Sequence, residues 1–303
     1  MGYMLNGKYY VEDLKPKSAE NGAFEREAAP IRKFLGTGFE PARYHLYLAV
    51  NCPWAHRVWL MLTLKGATMT KSFALPKRTD HGWVFDHGGR FSDPLYGFKA
   101  LHELYSTTGD YTGRITVPVL VDKETGQLIN NESADILRIL NQGLEGQDFL
   151  PREQIEEIDA WNARIYPNLN NGVYRAGFAR TQEAYDAAVL DVFNTLDAVE
   201  NQLSQTRYLT GDKLTEADIR LFPTLVRFDV GYHSAFRCNH ARIIDYPNLW
   251  GYAREIYQMH GVAETVDFDI YRHGYHSQSE LRNPLGIIPI GPSPDWTAPH
   301  GRS

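Results

Sequence analysis

The chain has 303 residues, 43% hydrophobic and 22% charged, with a formal net charge of −6. That length suits one large domain or two ordinary ones, each able to bury a core, and the composition excludes a disordered chain. A modest negative charge with no Lys/Arg block argues against nucleic acid as the main partner, and no window approaches the roughly 18 apolar residues that cross a bilayer.

The N-terminal "MGYMLNGKYY" has no apolar signal core, and Asn6 stands where a myristoylation pattern wants Ser or Thr, so a cytoplasmic location without a membrane partner is expected. Residues 1–40 read as an irregular arm. "RYHLYLAV" from Arg43 reads as a strand, and "PWAHRVWLMLTLKG" as a helix ending at Lys65-Gly66. "TKSFALP" is a second strand, and residues 77–112 a long insertion. "ITVPVLVDKETGQLI" is a hairpin closed around Glu124-Thr125-Gly126, and "NNESADILRILNQ" a helix with a polar start. This β-α-β, loop, β-β-α order over 41–145 is the thioredoxin-like arrangement. Residues 146–267 read as all helical. Within them "LTEADI" carries a capping box of Thr215 and Asp218 flanked by Leu214 and Ile219. The tail, 268–303, reads as irregular.

Cys52 and Cys238, the two cysteines, are too few for a disulfide framework or a cysteine-rich zinc site, and both are expected as free thiols. Cys52 falls between the first strand and a helix opening with Pro53. Proline is tolerated at the first helical position, and the free N–H groups and positive dipole end there favour a thiolate. Buried filler, half of a redox pair, a metal ligand and a nucleophile are the competing readings. Ala55 occupies the place of a second redox cysteine, so the segment reads as a monothiol site whose second reactant is a small-molecule thiol. His81, His87, His102, His273 and His276 have no convincing ligand spacing, and no metal is expected.

"RYHLYLAVNCPWAHRVWLMLTLKG" resembles the Cys-Pro-Trp-Ala segment of the glutathionyl-hydroquinone reductases, the Xi class of glutathione transferases. The resemblance continues in "HGWVFD", "TVPVLVDKETGQLINNESADI", "LTEADIRLFPTLVRFD" and "NPLGIIPIGP". It implies a thioredoxin-like N-terminal domain, an all-α C-terminal domain, a C-terminal tail over the cleft and a homodimer, with glutathione as co-substrate. It also implies a cis Val117-Pro118 bond that turns the Val117 backbone toward the peptide, with Glu132 and Ser133 receiving the γ-glutamyl end at a helix N-terminus. Trp83 would pack on the peptide and Arg114 would answer a carboxylate. Tyr174 matches the proton donor or acceptor, and Tyr232 and Tyr275 match tyrosines whose hydroxyls favour the thiolate. Near Tyr232 the chain reads "GYHSAFRCN", which departs from the family pattern Val-Tyr-Val-Gly-His-Phe-Lys-Cys-Asn.

The implied reaction is reduction of a glutathionyl-hydroquinone to the hydroquinone through a Cys52–glutathione disulfide, with oxidised glutathione released. The rivals are a broader thiol transferase or deglutathionylase, and a non-catalytic binding protein of the same fold.

Overall fold

A computed structural model describes residues 2–11, 19–36, 38–77 and 79–302 and divides the chain into two units. One is Met1–Lys15 with Glu27–Gln147, the other Pro16–Arg26 with Asp148–Ser303.

The first unit begins with a hairpin where the sequence suggested an irregular arm. Strands β1 (Tyr3–Leu5) and β2 (Lys8–Tyr10) pair antiparallel, Tyr3 opposite Tyr10. The turn is Asn6-Gly7, with φ of 49° and 73°. Both lie in the left-handed region that a two-residue hairpin turn demands and that Asn-Gly tolerates best. The signal was legible in "LNGK".

The central sheet follows the expected order. It is built from β3 (Tyr44–Ala49), then α1 (Pro53–Leu64) and β4 (Thr70–Ala74). The 77–112 segment is not all loop: α2 (Leu101–Ser106) closes it. Its apolar residues Leu101, Leu104 and Tyr105 are buried, a helical spacing that the surrounding Gly and Asp residues obscure. β5 (Gly113–Arg114) pairs with β1, and β6 (Val119–Asp122), β7 (Leu128–Asn130) and α3 (Ser133–Gly143) complete the unit. The sheet order is β4-β3-β6-β7, with β3 parallel to β4 and antiparallel to β6. All six residues of β3 are buried, as a strand covered on both faces requires. Residues 30–33 run beside β7, where Arg32 forms a two-bond salt bridge with Asp135, at 2.6 and 2.7 Å.

The insertion is tied to the sheet by Asp93, which is buried. Its carboxylate accepts from Ser72 Oγ at 2.8 Å, Tyr47 Oη at 3.1 Å and the N–H groups of Leu95 and Phe98. Earlier in the insertion, Leu75 N–H, directly after β4, donates to the Val84 carbonyl at 2.8 Å.

The second unit holds α4 (Ile155–Ile165), α5 (Gly172–Phe178), α6 (Gln182–Leu203), α7 (Glu216–Arg227), α8 (His233–Ala235), α9 (Pro247–Tyr257) and α10 (Phe268–Tyr275). Wide turns at Tyr166–Asn170 and Phe228–Tyr232 continue α4 and α7. The tail therefore opens with a helix, started by Asp267, whose side chain accepts from Ile270 N–H. Beyond it the chain is held on α9: Gln258 Nε2 donates to the carbonyls of Trp296 and Ala298, and Arg302 pairs with Glu255 at 3.1 Å.

The capping box starts α7 as expected. Asp218 is fully buried and accepts from Thr215 N–H at 2.8 Å, Thr215 Oγ1 at 3.1 Å, Leu209 N–H at 3.0 Å and Tyr252 Oη at 2.8 Å. Removing the acceptor strands four buried donors. Asp218→Ala should cost about 3 kcal/mol or more in urea denaturation. A loss below about 1 kcal/mol would show that this cap does not hold the helix.

Candidate active site

In the first unit, β3 delivers the chain to Cys52, the residue that caps α1, with extended backbone (φ −86°, ψ 118°). Pro53 fills the first helical position, where an N–H would have no partner. The Cys52 carbonyl accepts the first helical bond from His56 N–H, 3.0 Å. The side chain is 8% exposed, and Sγ lies 3.5 Å from the Val117 carbonyl.

Val117 precedes β6, and its bond to Pro118 is cis. The segment before it rests on a buried polar lattice. Tyr105 Oη donates to the Thr116 carbonyl at 2.9 Å, and Asn131 Nδ2 donates to Tyr105 Oη at 3.2 Å and Thr116 Oγ1 at 3.3 Å. Asn131 leads directly into Glu132, so one lattice sets both the Val117 backbone and the start of α3.

Glu132 caps α3: its Oε1 accepts from Ala134 N–H at 3.1 Å and Ser133 Oγ at 3.4 Å. Ser133 Oγ also accepts from Arg57 Nη1 at 3.3 Å. Arg57 is buried, its guanidinium 4.5 Å from the Trp54 ring. Sequence reasoning missed Arg57, although an arginine inside the apolar run "WAHRVWLML" is a signal in itself. The structure thus brings Cys52 beside Val117, and Ser133 beside Arg57.

Trp83 is 3% exposed, and its carbonyl accepts from Leu101 N–H, locking it to the start of α2. Arg114 lies on β5, paired with Tyr3, and forms a 3.5 Å ion pair with Glu27.

In the second unit, Tyr174 (α5), Tyr232 (the turn after α7) and Tyr275 (the end of α10) meet at their hydroxyls. The oxygens are 2.8 Å apart for Tyr232 and Tyr275, 3.1 Å for Tyr174 and Tyr275, and 3.5 Å for Tyr174 and Tyr232. Phe236 stands against all three rings, at 5.3 to 5.6 Å between centroids. Burial drives the Tyr232 and Tyr275 hydroxyls well above the ordinary phenol value, with Arg227 opposing. Both remain protonated donors at neutral pH. The guanidinium of Arg26 lies 4.9 Å from the Tyr174 ring.

The altered segment builds this cluster. A Cβ on Gly231 would stand 2.6 Å from Cδ2 of Tyr275, so a side chain there would push the tyrosine away. Ser234 Oγ and His276 Nε2 pair at 2.7 Å.

Of the other candidate histidines, His102 stacks on Tyr9 at 4.1 Å, and His273 Nδ1 pairs with the Asp269 carbonyl. Cys238 is completely buried, and burial pushes its thiol up to about 12. No described helix is long and apolar enough to cross a membrane.

Two family models match the chain: the glutathione S-transferase N-terminal domain over residues 51–142 and the C-terminal domain over 182–255. The chain is 45% identical to the glutathionyl-hydroquinone reductase YqjG of Escherichia coli, over all of this chain and 98% of that protein. It is 43% identical to the glutathionyl-hydroquinone reductase PcpF of Sphingobium chlorophenolicum, over 97% of each. Among solved structures, a Xi-class transferase from Natrialba magadii superposes with a TM-score of 0.92 at 40% identity, over 100% of this chain and 97% of that one.

Proposed function

The chain belongs to the Xi class of glutathione transferases, the glutathionyl-hydroquinone reductases, and from that we propose that it reduces glutathionyl-hydroquinones to hydroquinones and releases oxidised glutathione. The observation that carries the reading is Cys52 at the N-cap of α1, its sulfur 3.5 Å from the Val117 carbonyl, with Ala55 in place of a second cysteine.

The Val117 backbone pairs with the peptide of the glutathionyl group, and Trp83 packs on it. Glu132 and Ser133 take its α-ammonium and α-carboxylate, and Arg114 answers its other carboxylate. The quinol ring tautomerises to a ketone, which weakens the carbon–sulfur bond. The Cys52 thiolate attacks the glutathione sulfur and forms a disulfide. The electron pair of the broken bond moves through the ring carbon, which took its proton from Tyr174 in the tautomerisation, onto the ketone oxygen, which is then protonated to give the aromatic hydroquinone. By likeness to the family, the Tyr232 and Tyr275 hydroxyls favour the thiolate, and they stand within reach of the Tyr174 oxygen after it has given its proton. A second glutathione thiolate then attacks the glutathionyl sulfur, yielding oxidised glutathione and free Cys52. No metal takes part. By likeness to the family, we place the protein in the cytoplasm as a homodimer.

The test joins turnover to mass. A panel of glutathionyl-quinols should yield the hydroquinone and one oxidised glutathione per turnover. Intact mass after exposure to oxidised glutathione should show one adduct, retained in Cys238→Ala along with turnover. A buried thiol held near 12 is a poor nucleophile at neutral pH. Loss of turnover in Cys238→Ala with glutathione binding intact would make Cys238 the resolving thiol and overturn the monothiol cycle.

A further inference from the structure

We propose that the pocket beside Tyr275 receives an anionic substituent, a carboxylate, on the ring of the quinol, and that Arg282 is the residue that selects it. The proposal rests on the function argued above and gives that reaction a substrate class.

The pocket, of about 240 Å³, lies wholly within the second unit, lined by Ser234, Tyr275, His276, Arg282, Asn283 and Ile287 among others. Its chemistry is one-sided. Among the described residues, Arg282 has no acidic partner, whereas nearby arginines do: Arg175 pairs with Asp191, and Arg272 with Asp269, each at 2.8 Å. The Arg282 guanidinium sits 4.2 Å from the Phe178 ring and 5.3 Å from Phe236, and its buried Nη1 has no hydrogen-bond partner among the described residues. The strongest charge interaction acting on it comes from another cation, Arg237, which also lacks an acidic partner among the described residues. Arg26 and Arg227 add positive charge against Tyr174 and Tyr271.

His276 does not restore the balance. Its Nδ1 is engaged by the Arg272 carbonyl at 2.9 Å and its Nε2 by Ser234, and burial lowers its pKa, so it stays neutral. Asn283 is committed to the fold: its Nδ2 donates to the carbonyls of His276 and Ile287, which pins the tail beside α10. The free polar chemistry of the pocket is therefore a cation on an aromatic platform, in a chain whose net charge is −6.

Discrimination follows from both directions. A carboxylate can take two parallel N–H bonds from the planar guanidinium. A neutral ring that fills the pocket removes water from Arg282 and offers no charge in return. A cationic ring meets the like charge of Arg282.

The test compares two matched conjugates: glutathionyl-2,5-dihydroxybenzoate and its 2,5-dihydroxybenzamide counterpart. The wild-type protein should favour the carboxylate in kcat/KM by about tenfold or more. Arg282→Gln should bring the ratio close to one, and Arg282→Lys should keep part of it. Equal kcat/KM for the two conjugates in the wild type overturns the proposal. So does an Arg282→Gln variant that lowers both alike and also weakens binding of glutathione itself, since Arg282 would then serve the peptide.

A binding arm stands apart from turnover: fluorescence titration with free 2,5-dihydroxybenzoate and its amide. If neither conjugate is reduced, an Arg282-dependent preference for the free acid sustains the pocket while the reductase reading fails. No preference there overturns the pocket as well.

Discussion

Replacement of Cys52 by serine should reduce glutathione-dependent turnover by about a thousandfold or more, the scale of loss expected when a nucleophile is removed. A serine can approach the glutathionyl sulfur, but it cannot form the disulfide on which the second half of the cycle depends. The same substitution should leave the fold as stable as before, or more so. Residue 52 is the N-cap of α1, its backbone already in the extended conformation that caps adopt, and its sulfur makes no capping bond. Serine is among the preferred residues there, contributing about 1 kcal/mol over a residue that cannot cap. Cys52→Ser should therefore melt at or above the wild-type temperature while losing activity. Appreciable turnover by this variant would sink the disulfide mechanism. A lower melting temperature would mean that the thiol stabilises the helix start in some other way, the 3.5 Å contact with Val117 being the first candidate.

Tyr174→Phe should slow reduction of a glutathionyl-quinol by about 10²–10⁴-fold, the range for one general acid. It should barely alter reduction of a glutathione disulfide. The quinol reaction must place a proton on carbon, whereas the disulfide reaction expels a thiolate that needs none. The substitution keeps the ring, and so keeps its packing on Phe178 and Phe236. It removes the oxygen that meets Tyr275 at 3.1 Å. Parallel kinetics on the two substrates separates the roles: a packing defect harms both reactions alike, a lost proton donor only one. Wild-type rates on both would transfer the assignment to Tyr232 or Tyr275. Rates lowered equally on both would reduce Tyr174 to a wall of the site. The same comparison speaks to the rival reading, since a general thiol transferase would not need the hydroxyl at all.

The thiol side of the site was legible in the sequence. A β-branched and aromatic run, a cysteine, a proline and then an apolar stripe of helical period place Cys52 at a helix start by local rules alone. The hairpin signal "ITVPVLVDKETGQLI" and the polar start of "NNESADI" do the same for Val117 and Glu132. The amino-terminal hairpin is equally local, carried by Asn6-Gly7, although the charged residues that follow it resemble an arm.

Other features were decided only in three dimensions. Tyr174, Tyr232 and Tyr275 are three of 18 tyrosines; family resemblance singles them out in the sequence, but no local rule shows that their hydroxyls meet. Their hydroxyls meet across 58, 101 and 43 positions of sequence. That meeting depends on Gly231 leaving room for the Tyr275 ring. Arg57 and Arg282 are ordinary arginines by composition. One gains its significance from the Ser133 hydroxyl that it reaches, the other from the acid that it lacks. The physical reason is one of range. Periodicity, capping and turn chemistry act over a few residues and are written in consecutive letters. Side-chain hydrogen bonds, uncompensated charge and the space around a ring arise between residues that only packing brings together.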